Sequence, residues 1–254
     1  MANSPYLGKE VDQWLDITKT IITDHPLDVE ELLGLVIAAW EGVWSTQIGN
    51  DGARVSLREI HPPATVVGYF FEKLLAKSLA TKYPEHWASG DTGKQKDLHC
   101  IQNPELSIEV KASGQLGLKI FGNRSYGQEV ENTDRAKKDK SGFYITVNFY
   151  GEKLTLVRFG WIDGSDWVAQ KSPTGQMAGL GQNVYDYKLI PIKGDYTLDA
   201  PVDLLNGVGG KTAESLHQMG IMSIRDVLKN SGKFTGKLSK THTAAVAYKS
   251  AYGT

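Results

Sequence analysis

Apolar residues recur at helical spacing through the first third of the chain. Between residues 9 and 47 they predict two helices, which the pair His25-Pro26 separates. Asp28 stands where it can cap the second of these helices. A third helix is predicted over residues 65–82, where apolar side chains again follow one face. The chain is therefore expected to begin with a helical region.

Beyond this region the pattern changes to the alternation that is typical of β-strands. Residues 97–101 and 107–111 are predicted to form a strand hairpin around a turn at 102–106. Residues 113–142 are rich in Gly, Asn, Ser, Lys and Asp, and they are predicted to be a long loop or several short elements. Three further strands are predicted, at residues 142–149, 153–160 and 185–190. Helices, then strands, then helices predict an α/β fold in which helices flank a mixed β-sheet.

The predicted hairpin carries the candidate chemistry. Side chains alternate along a strand, so Glu109 and Lys111 lie on one face while Ile108 and Val110 lie on the other. Asp97, at the start of the preceding strand, brings a second carboxylate. Two carboxylates and one ammonium suit a magnesium-dependent phosphodiesterase, because carboxylates bind a hard cation and the lysine orients or helps to deprotonate water. We predict that Asp97, Glu109 and Lys111 are catalytic, and that Asp97, Glu109 and the Val110 carbonyl bind Mg²⁺.

A second stretch of the chain offers the same residue types. Asp186 and Lys188 form another acid-x-Lys pair, with Asp163 and Asp166 upstream. The loop at residues 171–175 separates those acids from the pair, and such a loop does not fix the distance between them. The first set is favoured, because a short Asn-Pro turn joins its two strands.

A simpler interpretation stays open for the Glu109–Lys111 pair and another for Glu72. Glu109 and Lys111 could form an ordinary ion pair on a sheet edge. Glu72, on the third predicted helix, is a further catalytic candidate that could reach the site through a water molecule. The alternative for Glu72 is a solvated acid on a helix face.

The C-terminal part is expected to form a separate helical domain. Residues 193–201 are predicted to be a linker, which divides the chain into a domain at 1–194 that carries the candidate catalytic residues and a helical domain at 195–254. Gly207-Val208-Gly209 is predicted to be a tight turn between two short helices. Glycines let the backbone approach a phosphate, and the N–H groups of the following helix point at it.

This segment resembles the helix-hairpin-helix motif of repair and recombination proteins. The resemblance implies contact with duplex phosphates regardless of sequence. The predicted contacts are Gly207, Gly209, Lys211 and Thr212. The alternative is a capped helical turn in an interaction module.

Charge supports this division of the chain. The protein has 254 residues, 41% of them hydrophobic, and a formal net charge of −1. From Pro201 onward there are seven basic and three acidic residues, so this part carries about +4 and the rest about −5. A local basic face can bind phosphates although the whole chain is nearly neutral.

Cysteine usage and hydropathy bear on the compartment. The single cysteine, Cys100, excludes an internal disulfide and is expected to be a buried apolar residue rather than a nucleophile. We see no secretory signal and no apolar run of the ~20 residues that a membrane span needs. The sequence therefore predicts a cytoplasmic protein with no membrane association.

Several segments, taken with the Asp97 to Lys111 hairpin, carry a family resemblance. They are residues 120–128, 140–149, 157–167 and 174–176. Together they resemble the ScaI-type family of type II restriction endonucleases, within the PD-(D/E)xK nuclease class, over roughly residues 5–192. Two features depart from the pattern: Lys96 replaces the proline often found before the first acid, and the helix-hairpin-helix unit is an addition.

The resemblance implies a mixed sheet flanked by helices and Mg²⁺-dependent cleavage of a short palindrome in double-stranded DNA. It also implies a homodimer and a cognate DNA methyltransferase as partner.

Base recognition is expected to come from the polar segment after the catalytic strand. An arginine can pair bidentately with guanine, and asparagine or glutamine with adenine. Each of these polar residues could equally be an ordinary loop residue. The candidate DNA contacts are Asn123, Arg124, Ser125, Tyr126, Gln128 and, further along, Gln176.

Three functions compete on the sequence. The leading hypothesis is a sequence-specific endonuclease that cleaves double-stranded DNA. The second is a structure-selective repair or junction nuclease, since nuclease cores and helix-hairpin-helix units also occur together there. The third is a DNA-binding module with an inactive site.

Overall fold

The structure is a computed structural model that describes residues 4–90, 94–123, 126, 139–169 and 177–254, without the side chain of Lys237. Four of the predicted DNA contacts lie outside the described residues. They are Arg124, Ser125, Gln128 and Gln176.

The three predicted N-terminal helices are confirmed. They are α1 (Trp14–Thr23), α2 (Val29–Ser45) and α4 (Ala64–Lys82); between the last two lie β1 (Gln47–Ile48), β2 (Val55–Ser56) and α3 (Leu57–Ile60). Asp28 caps α2, because its Oδ1 accepts the N–H groups of Glu30 and Glu31 at 2.9 and 3.0 Å. α2 and α4 pack against each other through buried apolar side chains.

The largest sheet among the described residues has six strands and is mixed, and the fold is α/β as predicted. Its strands are β3 (Trp87–Ser89), β4 (Leu98–Cys100), β5 (Ile108–Ser113), β7 (Gly142–Tyr150), β8 (Lys153–Ile162) and β11 (Leu189–Pro191), in the order β11-β8-β7-β5-β4-β3. The predicted hairpin is confirmed: β4 and β5 are antiparallel with Leu98 opposite Ile108. Because β5 lies between β4 and β7, its residues are covered by neighbouring strands on both sides.

The strand predicted at residues 185–190 is largely wrong. Val184–Lys188 is a π-helix, and the strand begins only at Leu189. Local alternation predicts a strand here, but two residues of this helix make contacts distant in sequence that the alternation does not encode. The Lys188 ammonium reaches an ion-pair cluster inside the protein, and the Tyr185 hydroxyl accepts the backbone N–H of Ile120 at 2.9 Å.

A separate three-stranded antiparallel sheet has the order β6-β10-β9. Its strands are β6 (Phe121–Asn123), β9 (Trp167–Ala169) and β10 (Met177–Leu180). Asn123 lies opposite Met177, and Gly122 opposite Ala178. This sheet packs on its own cluster of buried residues, which includes Ile120, Tyr144, Ile162, Trp167 and Ala178. β6 is one of the short elements expected within residues 113–142.

The chain divides into two compact units. The first consists of Met1–Ser113, Lys119–Val147 and Arg158–Ile190; the second consists of Gly114–Leu118, Asn148–Val157 and Pro191–Thr254. The domain boundary between residues 194 and 195 stays a prediction. Residues 193–201 differ from the exposed linker that we expected. Asp195–Asp199 forms a 3₁₀ helix, and Leu198 and Ala200 are buried in the core of the second unit.

The second unit contains α5 (Gly210–Gln218), α6 (Ile224–Lys229) and α7 (Ser239–Tyr252). Before the glycine turn, where we expected a short α-helix, Val202–Leu204 forms a single 3₁₀ turn. Gly207 has a φ of 84°, a backbone conformation that glycine adopts without steric cost. Helix α5 then begins at Gly210, with Gly209 as its N-cap.

Among the helices of the described residues, none combines the length and apolar character that crossing a membrane requires.

Candidate active site

One side-chain hydrogen bond joins the two sides of the β4–β5 hairpin at the predicted site. Asp97 precedes β4, and its Oδ2 accepts the backbone N–H of Val110, in the middle of β5, at 2.8 Å. Val110 lies between the other two predicted catalytic residues in sequence. Asp97 therefore lies beside Glu109 and Lys111, as the sequence predicted.

Glu109 and Lys111 form an ion pair on β5. The Lys111 Nζ lies 2.7 Å from Glu109 Oε1 and 3.1 Å from the carbonyl oxygen of Val110. Glu109 is 4% exposed and the Lys111 side chain 18%. This is no exposed ion pair of the sheet edge, since β5 is an inner strand. A buried carboxylate beside a half-buried ammonium is costly for stability alone and is common at functional sites.

The Lys111 ammonium stays charged in this environment. Burial alone would lower the pKa of Lys111, but the charges of Glu109 and Asp97 and the hydrogen bond to Glu109 outweigh burial. The net result is a pKa above the ordinary value of lysine. Lys111 thus contributes a fixed positive charge next to two carboxylates.

Tyr126 was predicted to contact DNA, and the structure places its side chain against Glu109 and Lys111. Its hydroxyl donates to Glu109 Oε1 at 2.7 Å, and its ring centroid lies 5.0 Å from Lys111 Nζ. Burial raises the pKa of the Tyr126 hydroxyl, and the charge of Glu109 raises it further, so this group stays a hydrogen-bond donor. Sequence reasoning missed this contact, because no local pattern connects Tyr126 with β5.

Glu72 lies on α4, which packs against β5; a methyl group added at Gly68 would lie 3.4 Å from Ala112. Its carboxylate pairs with Lys73 at 3.0 Å. That hydrogen bond raises the pKa of Lys73, and the charge of Asp97 also contributes. A water-mediated contact of Glu72 with the site stays a prediction, while Lys73 is a nearby cation that the sequence did not reveal.

Lys96 occupies the position where the class often has proline. Its ammonium donates to the carbonyl of Ser141, at the edge of β7. The substitution thus leaves the Asp97 carboxylate in place and adds a contact between neighbouring segments.

The donor set at this site fits a hard divalent cation. Within the described part of the chain, no group of three or more His, Cys, Asp or Glu side chains is arranged to hold a metal. The oxygens that could hold such a cation belong to the carboxylates of Asp97 and Glu109 and to the carbonyl of Val110, and each of these groups also accepts a hydrogen bond from the protein. Mg²⁺ binds through one or two carboxylates and keeps several waters, so this small set of oxygens suits it.

Three members of the competing set, Lys188, Asp163 and Asp166, come together, whereas Asp186 is exposed and accepts the side-chain amide N–H of Gln182 at 2.8 Å. Lys188 Nζ lies 2.8 Å from Asp163 and 2.9 Å from Asp166, with a side chain only 3% exposed. The ammonium also lies 4.4 Å from the ring centroid of Tyr6 and 4.3 Å from that of Trp14.

The acids of this cluster are held by protein groups too. Asp163 accepts the indole N–H of Trp161 at 2.9 Å and the hydroxyl of Ser4 at 3.0 Å. Asp166 accepts the backbone N–H of Asp163 at 2.8 Å. These contacts fasten the N-terminal segment to the sheet, which makes the cluster structural.

The remaining DNA-binding candidates that the structure describes lie at the surface. Asn123 is exposed at the end of β6. Gly207, Gly209 and Lys211 are exposed around the start of α5, and Thr212 is half-buried.

Two carboxylates and an ammonium brought together at two adjacent strands of an α/β sheet suit an enzyme that cleaves phosphodiesters, and comparison with known proteins shows the class. Residues 4–193 match the model of the ScaI restriction endonuclease family. The chain belongs to this family and is a type II restriction endonuclease, a site-specific deoxyribonuclease.

One curated relative is the type II restriction enzyme ScaI of Streptomyces caespitosus. It is 34% identical over 199 residues, which cover 75% of this chain and 85% of the relative. No solved structure matches the chain. The family assignment favours the leading hypothesis over a junction nuclease and over an inactive binding module.

Proposed function

We propose that the chain hydrolyses DNA at the cluster of Asp97, Glu109 and Lys111, with Mg²⁺ as cofactor. The observation that carries this proposal is the hydrogen bond from Val110 to Asp97, which brings the acid beside the Glu109–Lys111 pair. This cluster lies within the residues that match the family.

The residues divide the work by their chemistry. Asp97, Glu109 and the Val110 carbonyl hold the cation through oxygen. Bound Mg²⁺ supplies stabilisation of the charge that develops on the phosphate and favours ionised water. Lys111, held as an ammonium by its two acidic neighbours, orients the attacking water and stabilises its hydroxide form.

Removing one carboxylate charge at a time tests this proposal. Asp97→Asn and Glu109→Gln should each abolish cleavage of cognate DNA in Mg²⁺ while DNA binding persists in a gel-shift assay. Glu105→Gln is the matched control, because this acid lies exposed on the same hairpin. Normal cleavage by either catalytic variant would refute the site.

Base recognition is proposed for Asn123, Arg124, Gln128 and Gln176, with Ser125 beside them. The described strands support this grouping. Because β6 and β10 are antiparallel with Asn123 opposite Met177, the chain leaves β6 and enters β10 at the same end of the sheet. Asn123→Ala should lower cleavage of the cognate site by about 10-fold or more relative to sites that differ by one base pair, as one lost base contact predicts.

We further propose that the glycine turn before α5 binds phosphates as a helix-hairpin-helix element, through Gly207, Gly209, Lys211 and Thr212. The exposure of this turn and the start of α5 at Gly210 support it. Lys211→Ala should weaken binding of cognate and random DNA alike. It should also make the slope of log affinity against log salt concentration shallower by about one. Lys19→Ala, an exposed lysine on α1, makes the same charge change and should leave the slope unaltered.

A homodimer is the proposed working form, because a palindrome presents two equivalent strands related by a two-fold axis. Sedimentation of the protein with an oligonucleotide that carries one site should give two chains per duplex. A stoichiometry of one chain per duplex would contradict this form.

A further inference from the structure

Tyr126 lies between two parts of the first unit that the proposed function treats separately. On one side its hydroxyl donates to Glu109 of the catalytic strand at 2.7 Å. On the other side its ring packs edge-on against Trp167 of β9, with ring centroids 4.8 Å apart. One side chain thus contacts both the catalytic pair and the three-stranded sheet.

The same ring also faces the lysines around the site. Its centroid lies 5.0 Å from Lys111 Nζ and 5.6 Å from Lys140 Nζ. Aromatic rings attract ammonium groups at this range, and the attraction grows where water is excluded. Tyr126 therefore holds both members of the catalytic pair, Glu109 through its hydroxyl and Lys111 through its ring.

Gly122 makes room for this arrangement. A Cβ atom built at Gly122 would lie 2.9 Å from Cγ of Tyr126 and 3.1 Å from the ring of Trp167. The first distance is closer than a Cβ atom tolerates and the second is tight, so any side chain here would displace Tyr126 and press against Trp167. Gly122 belongs to β6, directly before Asn123, so the same strand supports Tyr126 and carries a proposed base contact.

We propose that Tyr126 is a positioning residue that couples the three-stranded sheet to the Glu109–Lys111 pair. This inference rests on the proposed function of that pair. A donor on a metal-binding carboxylate fixes which way the carboxylate points, and loss of such a donor typically costs 10–100-fold in metal affinity or activity. A shift of the sheet on DNA would be passed to Glu109 through the Tyr126 hydroxyl.

The test removes the hydroxyl and keeps the ring. In the full-length Tyr126→Phe protein without DNA, electron paramagnetic resonance of added Mn²⁺ should show affinity reduced by about 10-fold or more. With saturating cognate DNA and Mg²⁺, the single-turnover rate should fall by a similar factor. The dissociation constant for DNA without metal should stay within about two-fold of wild type, because Tyr126 is held inward.

Tyr185→Phe is the matched control. Its hydroxyl is likewise partly buried and bonded in the same region, but to the backbone of Ile120 and not to Glu109. Thermal melts of both variants measure the structural cost of a lost hydroxyl. Tyr185→Phe should match wild type in Mn²⁺ affinity and in rate whatever its melting temperature.

Gly122→Ala provides the second variant, because it keeps the Tyr126 hydroxyl and displaces the ring. It should reproduce the loss of Mn²⁺ affinity. If Tyr126→Phe binds Mn²⁺ and cleaves DNA as wild type does, the inference is overturned. If Asp97→Asn also cleaves normally, the proposed site itself fails, so the two failures are distinguishable.

Discussion

Two clusters in the first unit contain the same chemistry, two carboxylates and one lysine, yet their surroundings differ. Lys188 is 3% exposed and lies among two acids and two aromatic rings, so protein groups surround it. Lys111 is 18% exposed, and the backbone carbonyl of Val110 is among its contacts. On the proposed function, residue types alone therefore do not make a catalytic site. The two lysines differ in exposure, whereas the acids do not follow the same order, since the Glu109 side chain is 5% exposed and those of Asp163 and Asp166 are 11% and 13% exposed.

The largest effect should follow from Lys111→Ala. Without this charge the attacking water loses its orienting cation, and we expect single-turnover cleavage to fall by at least about 10³-fold. DNA affinity in a gel-shift assay should change little. Cleavage at the wild-type rate would show that Lys111 does not belong to the catalytic site.

Removing the other lysine should damage the fold. Lys188→Met leaves Asp163 and Asp166 buried beside each other, and breaking a buried ion pair costs about 3–5 kcal/mol. Denaturant unfolding should show this loss in the free energy of unfolding. The folded fraction should still cleave at close to the wild-type rate; a variant that is stable but inactive would contradict the structural assignment.

Addition of Mg²⁺ should distinguish the two clusters by a smaller effect, on the melting temperature. A ligand that binds only the folded state stabilises it by about 1.4 kcal/mol at ten times its dissociation constant. Mg²⁺ should therefore raise the melting temperature of wild type, and Asp97→Asn should lose this response. Asp163→Asn should have a lower melting temperature but the same increase on addition of Mg²⁺. Loss of that increase would indicate that the cation binds at the Lys188 cluster instead.

His25 offers the smallest effect and a third kind of buried polar group. Its Nε2 donates to the carbonyl of Leu106 at 3.1 Å, and its Nδ1 accepts the N–H of Leu27 at 3.2 Å, which fixes the neutral ring. Burial lowers the pKa of His25, although its two backbone hydrogen bonds oppose this. The unfolded chain thus binds the proton more tightly, and stability is lost as pH falls below about 6.5.

Unfolding free energies at pH 7.5 and 5.5 check this sign. Wild type should lose about 1 kcal/mol more than His25→Gln over this interval. Glutamine is suited to both backbone bonds but does not titrate, so it is the matched variant. An equal loss in both proteins would show that His25 titrates normally.

Local sequence carried much of this structure because the relevant interactions are short in range. Helical spacing and the cap at Asp28 placed α1, α2 and α4, and the Asn-Pro turn placed Asp97 beside Glu109. The contacts that the sequence did not reveal join residues distant in the chain. Tyr126 reaches Glu109, and Lys188 reaches Asp163, through packing that no periodicity encodes.

The pairing of β6 with β10 has a consequence for altering the target of this enzyme. Asn123 and Met177 are far apart in the chain but directly opposite each other in the sheet. If the polar residues that follow β6 and those that precede β10 read bases as proposed, both groups would contact the same part of the duplex. A library that varies only one of these two segments would leave the base contacts of the other unchanged. Selection for a new recognition sequence should therefore randomise both segments at once.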